Sequence, residues 1–165
     1  MEIFAKPAVG AIIEKSEDGC NYVLVQERQK ENGGTENGFL EIPAGKIREY
    51  ESIFSALRRE VWEETGLTVT EIIGEKDTIV SNVKDYKVIS FTPFCSTQNL
   101  SGGYSLVLQT FVCHAEGTLR AMTNETANIR WVSQEACLQT LTNDINSFYP
   151  LHINALKKFL AKSSP

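Results

Sequence analysis

Gly-Lys-Ile-Arg-Glu-Tyr-Glu-Ser-Ile-Phe-Ser-Ala-Leu-Arg-Arg-Glu-Val-Trp-Glu-Glu-Thr-Gly-Leu, residues 45–67, is the stretch whose reading decides the rest. Its middle, from Ser52 to Thr65, has helical periodicity. Ile53, Phe54, Leu57 and Val61 make an apolar stripe, Ser52 suits an N-cap, and Gly66 suits the residue that stops the helix. On that helix Glu60, Glu63 and Glu64 stand at i, i+3 and i+4, which puts three carboxylates within about 100° of arc. Their face lies beside the apolar stripe, so it can border a cleft. Two effects oppose the arrangement. Like charges one turn apart repel by about 0.2–0.5 kcal/mol, and acids in a last turn meet the negative end of the helix dipole at about 0.3–1 kcal/mol each. Residues that break local rules in this way concentrate at functional sites, and carboxylate oxygens are the ligands that hard divalent cations prefer. A solvated acidic face is the competing reading of the acids taken alone.

Working outward, the segment before the helix reads as strands. Ala8–Glu14 and Asn21–Gln26 are apolar runs joined by Ser16-Glu17-Asp18-Gly19, a turn cluster that predicts a hairpin. Lys30–Gly38 is a polar loop expected to be mobile, and Phe39–Ile42 a short strand halted by Pro43. After the helix, strands are expected at Leu67–Ile73, Thr78–Val83, Lys87–Phe94, Ser105–Ala115 and Arg130–Ser133, with Cys95–Tyr104 as a loop. Two helices follow, near Gln134–Thr142 and from Leu151 to Lys162. Many strands interleaved with three helices predict an α/β fold with helices packed on the faces of a sheet.

The whole chain narrows the class. Its 165 residues suit one domain, 1–165. A net charge of −5 argues against a nucleic-acid groove and means that an anionic substrate needs a local cation. Four scattered cysteines and an N-terminus without a secretory pattern predict reduced thiols and a cytoplasmic protein. No apolar run approaches the roughly 18 residues of a membrane span, so no membrane partner is expected. Homodimerisation is compatible with all of this.

The flanks of the acidic helix carry a resemblance. Gly45, five residues, Glu51, seven residues, Arg59-Glu60, an aliphatic residue, any residue, Glu63-Glu64, any residue, Gly66 and an aliphatic residue resemble the Nudix box at every specified position. The resemblance implies the Nudix α/β/α sandwich, a mixed sheet between helices, with the box as loop–helix–loop. It also implies a metal-dependent hydrolase that cleaves the diphosphate of a nucleoside diphosphate linked to another group. By carry-over, Glu60, Glu63 and Glu64, with the carbonyl of Gly45, are the expected Mg²⁺ or Mn²⁺ ligands. Arg59 and Glu51 are the pair expected to orient the carboxylates. The base that activates water is either Glu60 or Glu125, a loop acid just before Ile129-Arg130-Trp131-Val132-Ser133.

Substrate-contacting residues are harder to choose. Glu41-Ile42-Pro43-Ala44-Gly45 resembles the Glu-x-Pro-Ala-Gly lead-in of ADP-ribose and nucleotide-sugar pyrophosphatases. Those enzymes usually place a proline about 16 residues past the box, where this chain has Val83. Phe39 and Tyr104 are candidate base-stacking aromatics. Arg28 and Lys46 are candidates to meet phosphate, with Glu41 beside them in the lead-in. His114 and His152 carry no spacing signal and are read as structural. The alternatives to a pyrophosphatase of diphosphate derivatives are a nucleoside triphosphate pyrophosphohydrolase and a non-catalytic nucleotide sensor on the same fold.

Overall fold

A computed structural model of the chain describes residues 1–32 and 34–162. Its centre is the pair β1 (Lys6–Glu17) and β9 (Leu106–Glu116), which run parallel with Ala8 opposite Leu108 and Ile12 opposite Val112. Both strands are buried on two faces, which is why each reads as a nearly unbroken apolar run. Successive side chains point to opposite faces. Val9, Ala11 and Ile13 with Phe111 and Cys113 face one helix layer, whereas Ile12 and Val112 face the other.

The sheet extends from this pair in the order β10-β2-β1-β9-β5, with β2 at Cys20–Arg28, β5 at Thr68–Ile72 and β10 at Thr126–Ser133. Apart from β1 with β9 these pairings are antiparallel, so the sheet is mixed. The β1–β2 hairpin turns at Asp18 and Gly19, both with positive φ (50° and 77°), as an Asp-Gly two-residue turn requires. Short strands β3 (Leu40–Glu41) and β4 (Ala44–Lys46) join β2 and β1 on either side of Ile42 and Pro43.

Helix α1 (Ile53–Thr65) covers one face through Ile53, Phe54, Ala56, Leu57 and Val61. Ser52 Oγ accepts from the Ser55 amide at its start, and Gly66, at φ 80°, ends it in the left-handed conformation. The opposite face is covered by α2 (Gln134–Asn143) and α3 (Pro150–Ala161), which bury Cys137, Leu141, Ala155, Leu156 and Phe159 against Ile12, Val23 and Val25. The result is helices on both sides of a mixed sheet.

Three expectations change. Cys95–Tyr104 is not loop throughout, because Cys95–Gln98 forms β8 on the edge of β9; its polar Cys-Ser-Thr-Gln sequence lacks an apolar alternation that would reveal it. The strand expected at Lys87–Phe94 stops at Ser90, as β7 (Tyr86–Ser90), and among the described residues pairs only with β6 (Ile79–Val83) in a separate hairpin. The last strand starts at Thr126 rather than Arg130, since a bulge between Ala127 and Arg130, with Asn128 at φ 49°, breaks its pattern. The Lys30–Gly38 loop contains a 3₁₀ turn at Gly34–Glu36, and Gly33 lies outside the described residues. No described helix is long and apolar enough to cross a membrane.

Candidate active site

The C-terminal half of α1 faces a cleft of about 690 Å³ floored by β1, β4 and β9 and rimmed by the loop before β10. Glu60, Glu63 and Glu64 all line it, so the helical spacing does bring the three acids to one wall. They differ in setting. Glu63 is half exposed, whereas the Glu64 residue is only 6% exposed. Glu64 Oε2 accepts from the Gln26 amide at 2.9 Å and from the Ala44 backbone N–H at 3.1 Å. Burial, and then the nearby Glu41 carboxylate, push the Glu64 carboxyl well above the usual range. Glu60 is raised too, chiefly by burial, with Arg59 opposing and Glu63 and Glu125 adding to the rise.

Arg59 is the organising cation. Its Nε and Nη2 donate to the two oxygens of Glu51 at 2.7 and 2.9 Å, a bidentate pair. Nη2 also donates to the Lys46 carbonyl at 3.1 Å, and Nη1 bridges Glu60 and Glu63. Glu51 is consequently held at a pKa of about 2, with its Arg59 hydrogen bond the largest cause. The box thus ties its loop to its helix through one guanidinium.

Gly45 faces the Glu60 carboxyl so closely that a Cβ there would lie 2.0 Å from Glu60 Cδ. Its φ is not in the left-handed region, so space rather than backbone conformation explains the glycine. Among the described residues no three acids, histidines or cysteines converge on one point as they stand, since Arg59 lies between Glu60 and Glu63 and Glu64 turns to Gln26 and Ala44. The donor chemistry nevertheless fits a hard divalent cation. Oxygen ligands from one helical turn meet a cradle that only glycine leaves open, and two of the carboxylates are raised by burial and mutual repulsion.

Of the other expected residues, Arg28, Glu41, Lys46, Tyr104 and Glu125 border the cleft, and Phe39 does not. Arg28 and Glu41 form a buried ion pair at 3.2 Å, and the Arg28 guanidinium lies 4.3 Å from the Tyr149 ring centre. Glu41 is raised by burial, against the pull of Arg28. Glu125 precedes β10, half exposed, with Lys30 3.2 Å away. His114 does not line the cleft; it stands on β9 between Glu71 (2.9 Å) and Glu14 (3.4 Å).

Three residues at or beside the cleft have no site role in the sequence reading: Gln26 and Arg120 are not singled out, and His152 is read as structural. Gln26 is fully buried and donates to Glu64 and, at 3.5 Å, to Glu41, so its amide separates two buried carboxylates. A glutamine ending the Val23-Leu24-Val25 run was a usable signal. His152 is buried at the cleft floor, and its Nδ1 accepts from the Ile42 amide at 3.2 Å; burial lowers its pKa to about 3, so it is neutral. Arg120 enters from the β9–β10 connection and no local pattern marks it.

The NUDIX domain profile matches residues 5–152 of the chain. No curated protein sequence matches it. Among solved structures, the MutT protein of Methanosarcina mazei Go1 aligns over 100% of this chain and 99% of its own at a TM-score of 0.61 and 21% identity. The NUDIX domain of Shewanella oneidensis NrtR, solved with ADP ribose, aligns over 99% and 91% at 0.66 and 14%. A C. elegans Ap4A hydrolase binary complex aligns over 96% and 98% at 0.56 and 16%. At such identities these likenesses speak to the fold, while the profile match spans most of the chain and includes the whole of the Gly45–Leu67 segment. The chain belongs to the NUDIX domain family, a family of pyrophosphohydrolases.

Proposed function

We propose that the protein is a Mg²⁺- or Mn²⁺-dependent hydrolase that splits the diphosphate of a nucleoside diphosphate derivative. The observation that carries this reading is the opening at Gly45 against the Glu60 carboxyl, beside Glu63 and Glu64. Glu60, Glu63, Glu64 and the Gly45 carbonyl would hold the metal, which when bound supplies charge neutralisation of the diphosphate and activation of water. Arg59, anchored on Glu51, sets the directions of Glu60 and Glu63. Gln26 and the Ala44 amide hold Glu64. Water oxygen attacks one phosphorus, its proton passes to a carboxylate, and the bridging P–O bond breaks. That carboxylate is Glu60 or Glu125, both of which border the same cleft. Positioning and charge stabilisation dominate phosphoryl transfer, so no protein nucleophile is needed.

The preferred substrate class is ADP-ribose or a nucleotide sugar, giving two monophosphates. The Glu41-x-Pro43-Ala44-Gly45 lead-in supports it, as does the ADP ribose bound by the Shewanella relative. A panel of ADP-ribose, nucleotide sugars and nucleoside triphosphates with Mg²⁺ and with Mn²⁺, scored by released products, tests both levels. Triphosphates turned over with kcat/KM at least tenfold above ADP-ribose, about 1.4 kcal/mol of transition-state stabilisation, would reject the substrate class. Full turnover in excess EDTA would reject the metal-dependent mechanism itself.

A further inference from the structure

Six basic side chains border the cleft, and the structure sorts them by partner. Arg28 is paired with Glu41 and Glu36, Lys30 with Glu125, Arg48 with Glu63 at 3.8 Å, and Arg59 with Glu51, Glu60 and Glu63. Among the described residues, Lys46 and Arg120 alone of the six have no carboxylate within 4.0 Å. A paired cation in an acidic cleft is largely neutralised before an anion arrives. An unpaired one is not.

Arg120 is also held in place. Its backbone N–H donates to the Thr65 carbonyl at 2.9 Å, and its Nη1 donates to the Glu63 carbonyl at 3.1 Å. The guanidinium lies 5.0 Å from the Trp62 ring centre. Gly66 leaves room for the stem, since a Cβ there would come within 2.8 Å of Arg120 Cγ. These contacts tie the guanidinium to the last turn of α1, the turn that carries Glu63 and Glu64. One Nη1 hydrogen bond uses one of five N–H donors, and a guanidinium matches phosphate oxygens in a fork.

We propose that Arg120 binds a non-bridging phosphoryl oxygen of the substrate's diphosphate, in the cleft that Glu63 and Glu125 also line. The proposal rests on the reading of the cleft as a nucleoside diphosphate site and deepens it. Arg120 is a substrate-binding residue whose anchoring on α1 keeps it in register with the acids. The bland role for the same side chain is a cap on the helix C-terminus, where a cation and a donor to a free carbonyl both stabilise.

Calorimetric binding of α,β-methylene-ADP, a nucleoside diphosphate with an uncleavable bridge, separates the two roles. It is measured with Mg²⁺ for the wild type, R120A and R120K, with adenosine as the uncharged control and thermal unfolding of each protein alongside. Arg120 as a phosphate ligand predicts that R120A weakens α,β-methylene-ADP at least tenfold, leaves adenosine within twofold, and that R120K recovers part of the loss. R120Q, which retains an amide donor for the Glu63 carbonyl but no charge, replaces R120A if that variant does not fold, with the same expectation. Equal binding of α,β-methylene-ADP by wild type and the uncharged variant, whatever the change in unfolding temperature, overturns the proposal and leaves Arg120 a helix cap. Failure of the wild type itself to bind α,β-methylene-ADP would instead overturn the diphosphate reading of the cleft.

Discussion

Gly45→Ala is the most discriminating single change in this protein, because its effects on stability and on activity should part company. The added methyl would sit 2.0 Å from Glu60 Cδ and 2.2 and 2.3 Å from its two oxygens, where ordinary contact begins near 3.4 Å. The Glu60 carboxyl must therefore retreat by about 1.4 Å, the gap between a 2.0 Å approach and normal carbon–carbon contact. It is the far end of a flexible side chain, so the retreat costs about 1 kcal/mol through an off-rotamer torsion or a weakened bond to Arg59. Against this, Gly45 lies in β4 opposite Val9, with a φ that alanine tolerates. Replacing glycine at such a position stabilises by about 0.4–1 kcal/mol through the unfolded chain.

The two contributions nearly cancel, and an unfolding temperature within about 4 °C of wild type is expected. Catalysis has no such compensation. A displacement of about 1 Å in a positioned group costs on the order of 100-fold, and this one exceeds that. The assay is kcat and kcat/KM at saturating Mg²⁺ on the best substrate of the panel, with differential scanning calorimetry of the same preparation. Activity of the variant within threefold of wild type would refute the claim that Glu60 is held against Gly45 for function. A fall of ten degrees or more in unfolding temperature would refute the claim that only a movable carboxyl stands in the way.

Two further outcomes follow from the buried groups. Glu64→Gln should lower activity by orders of magnitude while the metal-free protein unfolds at the same temperature or slightly higher, because the amide oxygen can still accept from Gln26 and Ala44 and a buried charge beside Glu41 is removed; a loss of many degrees would make Glu64 structural. His152, held neutral with a pKa of about 3 against an ordinary 6.5, binds fewer protons folded than unfolded between those values, so it contributes a loss of stability as pH falls from 6.5 towards 3. The raised carboxyls of Glu41, Glu60 and Glu64 act with the opposite sign, so the measurement is the difference between wild type and His152→Asn, whose Oδ1 keeps an acceptor for the Ile42 amide. Stability–pH curves that run parallel between pH 6.5 and 3 would count against a buried neutral His152.

What could be read from the sequence is what a local rule can see. Ser52 and Gly66 bracket α1 because capping acts within a few residues, and Asp18-Gly19 shows its hairpin because a two-residue turn demands positive φ. β1 and β9 show as apolar runs because both of their faces are buried. The three box acids could be placed on one wall because helical geometry carries one turn to the next. β8 could not be found this way: its Cys-Ser-Thr-Gln strand exists because β9 offers an edge to pair with, not because of its own side chains. Phe91 shows the same limit from the other side. It lies beyond the end of β7 yet meets Phe54 at 6.0 Å and Phe111 at 6.0 Å, so its apolar character reflects core packing rather than a strand.

The polar groups that complete the site are the least visible of all, and for a physical reason. Ala44, His152 and Arg120 reach the cleft from β4, α3 and the connection into β10, and Gln26 reaches Glu64 behind it from β2, at separations from the acids that no periodicity spans. The acids on α1 are costly wherever they are left alone. Burial and neighbouring carboxylates raise Glu60 and Glu64, and the helix dipole opposes Glu64 in the last turn. A fold that keeps them must bring donors and cations from elsewhere: Arg59 with Glu51 from the box itself, Gln26 and the Ala44 amide from the sheet. The acids announce a site, and the distant residues complete its charge balance. Arg28 is already committed to Glu41 and Glu36, and Arg59 to three carboxylates. If the cleft holds a diphosphate as proposed, discrimination among such substrates would fall to the cleft cations with no acid partner among the described residues, Lys46 beside Tyr104 and Arg120 on the end of α1.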